Sequence, residues 1–345
     1  MAKLQLPKPL IPAPCTEFNR FDGLVSVIIA TYNCASTLPK SIQSMKDQTY
    51  RNIEIIVSDD ASTDNTQEVV AGLGVVYIHL SKNSGAAAAR NEGARAARGE
   101  VLVFTEADGY YDADYIEKIL RYMHLPGVAG AINLGREVWT DHNNVLTRLQ
   151  NDQHEAAVRQ VLRGKRGTGA WAFWREAFWK AGGYDAGLRI GQDVDLVRRL
   201  EMAGWKTTIG DRSVLHHKDP DNLRAYLKRA YKGTLNSGLF FSRWHGSKSR
   251  LGMAAYVMKF TGLVLLPLYL LLTIEWPAAF VPLFFIGIAY LLLEDQATFL
   301  GWRIGLERGD IATALATPGL LYLRRLAIGI GRIKTFFSMN VDQAR

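Results

Sequence analysis

Between residues 24 and 110, four strand-length apolar runs (25–30, 53–58, 75–80 and 100–105) alternate with segments of helical character. This alternation constrains the fold more than any other feature of the chain. Each run is too short to span a membrane and is rich in β-branched residues, so it reads as a buried strand. The intervening segments 36–47, 64–71 and 85–97 read as helices, the first with Pro39 in its first turn and the third opened by Gly85 and rich in alanine. Strands joined by helices imply βαβ units and a mostly parallel sheet, whose ligands bind at the carboxyl ends of the strands. The first strand runs straight into such an end, "VSVIIATYN", where Thr31 and Tyr32 are expected to line a crevice. From 111 to 211 the pattern loosens into a mixed region rich in Trp, Gly and charge.

The chain has 345 residues, which predicts a main domain of roughly 200 to 250 residues plus an attachment. Its net charge of +8 admits nucleic acid, anionic lipid or an anionic substrate as partner. The position of the charge favours lipid. From 222 to 259 there are eight Lys or Arg and no Asp or Glu, immediately before the longest apolar stretch. Arg224, Lys228 and Lys232 fall at i, i+4 and i+8, as on a helix lying in the headgroup layer of an anionic inner leaflet. Segments 254–274 and 278–293 then read as a two-helix transmembrane hairpin around "EWP", the alternative being a re-entrant hairpin kinked at Pro267 and Pro282. Basic residues flank the hairpin and none lies in its turn, so the positive-inside rule puts the main domain on the cytoplasmic face of the cell inner membrane. A further interfacial helix is expected over 319–337. The expected organisation is an N-terminal arm (1–22), a catalytic domain (23–220), a basic interfacial segment (221–253), the hairpin (254–300) and an interfacial helix with tail (301–345). The Pro-rich start has no signal-peptide pattern. Cys15 and Cys34 have neither metal-ligand spacing nor disulfide density, which fits a reducing compartment.

Chemistry-bearing groups cluster after the strands. "SDDASTDNT" puts Asp59 and Asp60 at a strand end, where ionised carboxylates accept from the donors of a base or ribose; part of the same stretch caps the next helix. In "NSGAAAARNEGARAARG" the small residues let a helix approach the sheet, its N-terminus suits an anion, and Arg90 can reach a pyrophosphate. "VFTEADGYYD" delivers Glu106 and Asp108 from a buried strand, positioned to share one hard cation, Mg2+ or Mn2+. In "GGYDAGLRIGQDVDL" a helix starts near Gln192, with Asp193 and Asp195 in its first turn. Their ordinary account is the helix dipole, but a carboxylate there can also act as general base. "SVLHHKD" places His216 and His217 after a strand, one of them available to the cation.

Taken in this order, from about residue 25 to 217, these motifs resemble the family 2 glycosyltransferases with a GT-A fold. The resemblance implies a Rossmann-like α/β mixed sheet flanked by helices, a nucleotide-diphosphate sugar donor (UDP-sugar favoured), inversion at the anomeric carbon, and Mn2+ or Mg2+. It implies that Thr31, Tyr32 and Asp60 hold the nucleotide and that Arg90 lies near it or its pyrophosphate. Glu106 and Asp108 occupy the family's D-x-D, with Glu in place of the first Asp. The resemblance places Asp193 on the base position of the family's Glu-Asp pair, which here reads Gln192-Asp193. His216 matches a late histidine that assists metal or diphosphate. Trp171, Gln192 and Asp195 are assigned to the acceptor or donor-sugar region. The expected acceptor is a hydroxyl of a lipid-linked or membrane-proximal saccharide, the alternative being a polyprenyl phosphate. An oxidoreductase would want G-x-G-x-x-G where this chain reads "ATYNCAS". The acidic crevice opposes nucleic acid. A basic, non-enzymatic membrane adaptor is the remote remaining reading.

Overall fold

The structure, a computed structural model, describes residues 21–139, 143–161, 171–235, 303–304 and 306–342. The chain divides into two compact units, one of residues 1–139 and 158–218, the other of 140–157 and 219–345.

The first unit is built on β1 (Val25–Thr31), β2 (Ile53–Asp59), β3 (Val76–His79) and β4 (Val101–Glu106), each within a residue or so of the run that predicts it. Every residue of β1 except Ala30 is buried, as a strand covered on both faces requires. Connecting helices are α1 (Leu38–Lys46), α2 (Thr66–Val70) and α3 (Ala86–Ala96). The mixed region resolves into β5 (Gly109–Tyr111), α4 (Tyr115–Met123), β6 (Val128–Trp139), α5 (Val145–Val161), β7 (Trp171–Trp174), α6 (Arg175–Lys180), α7 (Gln192–Met202) and β8 (Lys206–Lys218). Together the strands form one eight-stranded sheet in the order β3-β2-β1-β4-β7-β6-β8-β5. β1 pairs in parallel with both β2 and β4, whereas β7 is antiparallel to β4 and β6. The sheet is therefore mixed, as the resemblance implies.

Two apolar layers cover the sheet. One packs Leu38, Ile42 and Met45 of α1 and Ile116, Ile119 and Leu120 of α4 against Val27, Ile29 and Val103. The other packs α3, α6 and α7 against Ile28, Ile56, Phe104 and Phe173. The small residues of α3 have the expected purpose. A Cβ on Gly93 would stand 2.6 Å from Ile28 Cγ2, so this helix lies too close to β1 for any larger residue at that position.

In the second unit, α8 (Leu223–Leu235) packs against α9 (Ile311–Asp342). The helix expected over 319–337 is thus longer and starts earlier, and α8 buries Tyr226 against protein, an arrangement the expectation of a lipid-facing apolar side did not include. Two buried carboxylates, Asp219 and Asp152, and a half-buried one, Asp310, organise this unit. Asp219 pairs with Arg229 and lies 2.9 Å from His154 Nε2, Asp152 accepts from Arg308 at 2.9 Å, and Asp310 from Arg148 at 2.6 Å. The expected hairpin at 254–300 lies outside the described residues, as does nearly all of the arm at 1–22. Among the described residues, no helix is long and apolar enough to cross a membrane.

Candidate active site

Strand order turns at β1, with β2 on one side and β4 on the other, and the carboxyl ends of these strands carry the polar residues. Ala30 pairs with Glu106 and Thr31 with Asp59. Such a switch point opens a crevice beyond the strand ends. Thr31 is buried and Tyr32 is exposed beside it. The next residue, Asn33, takes a left-handed conformation (φ 53°), tolerable for an Asn whose side chain bonds locally. Its Oδ1 accepts from the Thr63 amide at 2.8 Å, and its own amide donates to Ser62 Oγ at 2.8 Å, so the loops after β1 and β2 brace each other.

The adjacent aspartates divide their work. Asp59, fully buried, accepts from the Ser62 amide and hydroxyl on one oxygen and from Tyr77 Oη at 2.5 Å on the other, so it is a structural anchor. Asp60 accepts the Ser84 amide at 2.6 Å and the Gly85 amide at 2.7 Å, one on each oxygen. It thereby ties β2 to the N-terminus of α3. Each oxygen keeps a further acceptor position, so this bracing does not conflict with nucleotide contact.

At the end of β4, Glu106 and Asp108 meet a histidine, but it is His217. Its Nε2 lies 3.3 Å from Glu106 Oε2 and 3.2 Å from Asp108 Oδ1, and the three residues offer ligand atoms all within 4.8 Å of one another. Neighbouring ligands around one octahedral cation at 2.0–2.1 Å are about 3 Å apart, so this spacing fits a single small divalent ion. The expected ligand His216 is turned away. Successive side chains of a strand point to opposite faces, and both histidines lie inside β8, not after it. His216 stacks on Tyr110 (centroids 4.4 Å apart, planes 10° apart) with its Nε2 3.2 Å from Asp112. The pairing of Gly109 with His217 sets this register, and a Cβ on Gly109 would strike Leu215 at 2.6 Å. Glu106 is held in turn from the backbone, its amide donating to Tyr111 Oη at 2.8 Å and its carbonyl accepting from Ser41 Oγ at 3.0 Å.

α7 begins beyond Gly191, whose left-handed φ of 74° suits glycine, and so places Gln192 and Asp193 in the first turn. Asp193 Oδ1 stands 4.0 Å from Arg90 Nη1 on α3. Burial pushes the Asp193 carboxyl above the usual range for aspartate. The Arg90 guanidinium pulls it back down, and Glu106 adds to the rise. Base candidate, arginine and metal-ligand cluster therefore share one electrostatic neighbourhood. Arg90 also lies over the Tyr184 ring, 5.6 Å from its centroid. The loop bearing Tyr184 is clamped by Asn91, which donates to the Tyr184 carbonyl at 2.7 Å and accepts its amide at 3.0 Å. Asn91 carries no charge or motif that would have marked it in the sequence.

Asp195 does not belong to this neighbourhood. Two residues along a helix turn the side chain to nearly the opposite face, and there Asp195 is fully buried against Arg199 at 2.8 Å. Arg199 continues to the carbonyls of Ala181 and Gly183, so the pair fastens α7 to the preceding loop. Trp171 is buried and stacked on Phe173 (centroids 5.6 Å apart), on the α3 and α7 side of the sheet.

The mixed sheet, with an acidic cluster at its switch point and a helix-borne carboxylate near it, is the α/β arrangement the resemblance implies, and comparison with known proteins agrees in fold. Residues 26–182 match the profile described as "Glycosyl transferase family 2". It is 40% identical over 103 residues to the Escherichia coli UDP-Glc:alpha-D-GlcNAc-diphosphoundecaprenol beta-1,3-glucosyltransferase WfaP, an overlap of 29% of this chain and 41% of that one. To the putative teichuronic acid biosynthesis glycosyltransferase TuaG of Bacillus subtilis it is 34% identical over 105 residues, or 29% and 42% of the two chains. The matched portion thus spans about two fifths of these relatives. In fold, the chain is similar to a mannosyltransferase from Pyrobaculum calidifontis solved with GDP-Man and Mn2+, with TM-score 0.53 and 18% identity over 93% of this chain and 88% of that one.

Proposed function

We propose that this protein is an inverting, metal-dependent glycosyltransferase that moves a sugar from a nucleotide-diphosphate donor, a UDP-sugar in the favoured case, to a hydroxyl of a lipid-linked or membrane-proximal saccharide. The observation that carries this reading is the convergence of Glu106, Asp108 and His217 near Asp193 and Arg90. The named relative that acts from UDP-Glc on a diphosphoundecaprenol-linked sugar supports the donor and acceptor class.

Glu106, Asp108 and His217 would hold the divalent cation, and their imidazole nitrogen favours Mn2+ over the strictly oxygen-seeking Mg2+. A bound cation supplies charge neutralisation at the leaving diphosphate. The protein's own groups do the rest. Asp60 braces the loop that opens α3, beside Thr31 and Tyr32 at the nucleotide. Arg90 offers positive charge between the diphosphate and Asp193. Asp193, ionised, takes the proton of the acceptor hydroxyl as that oxygen attacks the anomeric carbon and the C–O bond to the diphosphate breaks. A single displacement of this kind inverts the anomeric centre.

Attachment to the cytoplasmic face of the inner membrane is part of the same proposal. It is supported by the exposed Arg224, Lys228 and Lys232 on α8, by Ile311 and Leu315 exposed on α9, and by the apolar run at 254–293. The test is a thermal-shift panel of UDP, GDP, CDP and TDP with Mn2+ or Mg2+, followed by incubation of the best-matched sugar nucleotide with membrane lipid extract. Metal-dependent stabilisation by one nucleotide and transfer to lipid are expected. Stabilisation by none of them defeats the reading.

A further inference from the structure

Resting on that reading, a second set of groups speaks to the donor sugar. Three side chains on the α3 and α7 side of the sheet bury polar atoms that have no hydrogen-bond partner among the described residues: Nε1 of Trp171, Oε1 of Gln192, and Nε and Nη1 of Arg90. Buried polar atoms in native proteins are nearly always paired, so several unpaired ones in one region mark a place completed by a ligand. The indole is fixed in direction. Trp171 is only 3% exposed and its ring is stacked on Phe173 with 13° between planes.

Placement ties these atoms to the reaction. β7 runs antiparallel to β4 with Ala172 opposite Val103, so Trp171 stands one step further toward the strand end, alongside Phe104. Phe104 and Glu106 share a face of β4. Gln192 immediately precedes Asp193. In a direct displacement the anomeric carbon lies between the diphosphate at the Glu106 cluster and the hydroxyl at Asp193, so the donor ring would occupy that interval, next to Gln192 in sequence and on the sheet face that carries Trp171.

We propose that Trp171 and Gln192 are specificity residues that read hydroxyl groups of the donor hexose, and that the donor is a neutral hexose, not a hexuronate. An indole N–H only donates, whereas an amide presents an acceptor or a donor according to its orientation. A hydroxyl does both, and so satisfies the pair in either orientation of the amide. A sugar carboxylate instead meets the acidic Glu106 and Asp193, with the nearby Arg90 already facing Asp193. Gln192 adds no charge of its own, where a glutamate would add another negative one.

Calorimetric titration of the intact protein with Mn2+ tests this, using UDP, UDP-glucose, UDP-galactose, UDP-glucuronate, GDP and GDP-mannose as probes. Trp171→Phe keeps the ring and removes the N–H; Gln192→Leu removes the amide. Each is expected to weaken the preferred sugar nucleotide about 5-fold, one neutral hydrogen bond, while leaving the matching nucleoside diphosphate unchanged. UDP-glucuronate is expected to bind no better than UDP. Equal weakening of nucleotide and sugar nucleotide, no weakening of either, or preference for the glucuronate overturns the inference and leaves the proposed function standing. Failure of the unmodified protein to bind any of the six, or CDP or TDP, defeats both. Should Trp171→Phe not fold, Gln192→Leu at the edge of α7 carries the same readout.

Discussion

Arg90 Nη1 faces Asp193 Oδ1 across 4.0 Å, and both side chains are largely withdrawn from water, at 14% and 20% exposure. On the proposed mechanism the relationship would set the pH at which Asp193 serves as base. Burial raises its carboxyl above the ordinary value of 3.8, Arg90 opposes that rise, and Glu106 reinforces it. A base works only when ionised, so activity falls as pH drops through this raised value. Arg90→Gln removes the opposing charge, and the acid limb of the kcat/KM profile is expected to move to higher pH. A limb that stays in place while affinity for the donor falls would assign Arg90 to the diphosphate alone.

His217 and His216 are neighbours with different surroundings. His217→Ala removes a candidate ligand and is expected to raise the Mn2+ concentration needed for half-maximal activity by at least about 10-fold. His216→Ala loses a ring stack on Tyr110 and a contact to Asp112. It is expected to cost about 1 kcal/mol of stability without changing the Mn2+ requirement. Metal titrations of activity with parallel thermal melts separate the two. Exhaustive chelation is expected to abolish transfer by the unmodified protein.

The contrast between these histidines shows where sequence reading stops. β1, β2 and β4 were legible because burial leaves continuous apolar runs, β3 because its run stays apolar although it is an edge strand with no fully buried residue, and α3 because only small residues fit where Gly93 meets Ile28. β6 and β8 were not. Their sequences, VAGAINLGREVW and KTTIGDRSVLHHK, mix charge with apolar residues, and register shifts interrupt their pairing, so no alternation survives. The face that His217 presents is fixed by pairing with β5, a three-residue strand too short to leave a periodic signal. Glu106 and Asp108 were legible for the opposite reason, as acidic residues at the end of an otherwise apolar strand.

Close approach at α3 yields a prediction about stability alone. A side chain at position 93 meets Ile28 Cγ2 at 2.6 Å and Ser58 Cβ at 3.4 Å. Gly93→Val is expected to destabilise by about 1–3 kcal/mol through overpacking, read as a lower midpoint in urea. Gly72, where nothing lies within 4 Å of a built Cβ, makes a matched control, since its φ of 84° adds backbone strain without a clash. A Gly93→Val protein as stable as the parent would mean that α3 stands off from β1.

Membrane attachment has its own signature. With Arg224, Lys228 and Lys232 exposed on α8, binding to vesicles is expected to require anionic lipid and to weaken as salt rises. Flotation with anionic and with zwitterionic vesicles measures this. Replacing the three cations by Gln is expected to reduce binding, by roughly 1 kcal/mol for each residue held near the surface. Labelling of Trp276→Cys only from the cytoplasmic side would show that 254–293 does not cross the bilayer.

Asp193 and Asp195 give the sharpest separation of chemistry from architecture, because two residues on one helix turn face different surroundings. Asp193 faces Arg90 and the Glu106 neighbourhood, while Asp195 is buried on Arg199, which also holds the Ala181 and Gly183 carbonyls. Asp193→Asn keeps shape and removes the proton acceptor, so transfer is expected to fall about 100- to 10,000-fold with nucleotide binding nearly intact. Asp195→Asn leaves a guanidinium without its counter-charge and is expected to cost about 3–5 kcal/mol of stability, while the protein that remains folded keeps its activity. Transfer assays normalised to folded protein, with melts of both variants, distinguish these outcomes. Near-normal turnover in Asp193→Asn would remove it from the role of base, and loss of turnover in a fully stable Asp195→Asn would move that role to its neighbour.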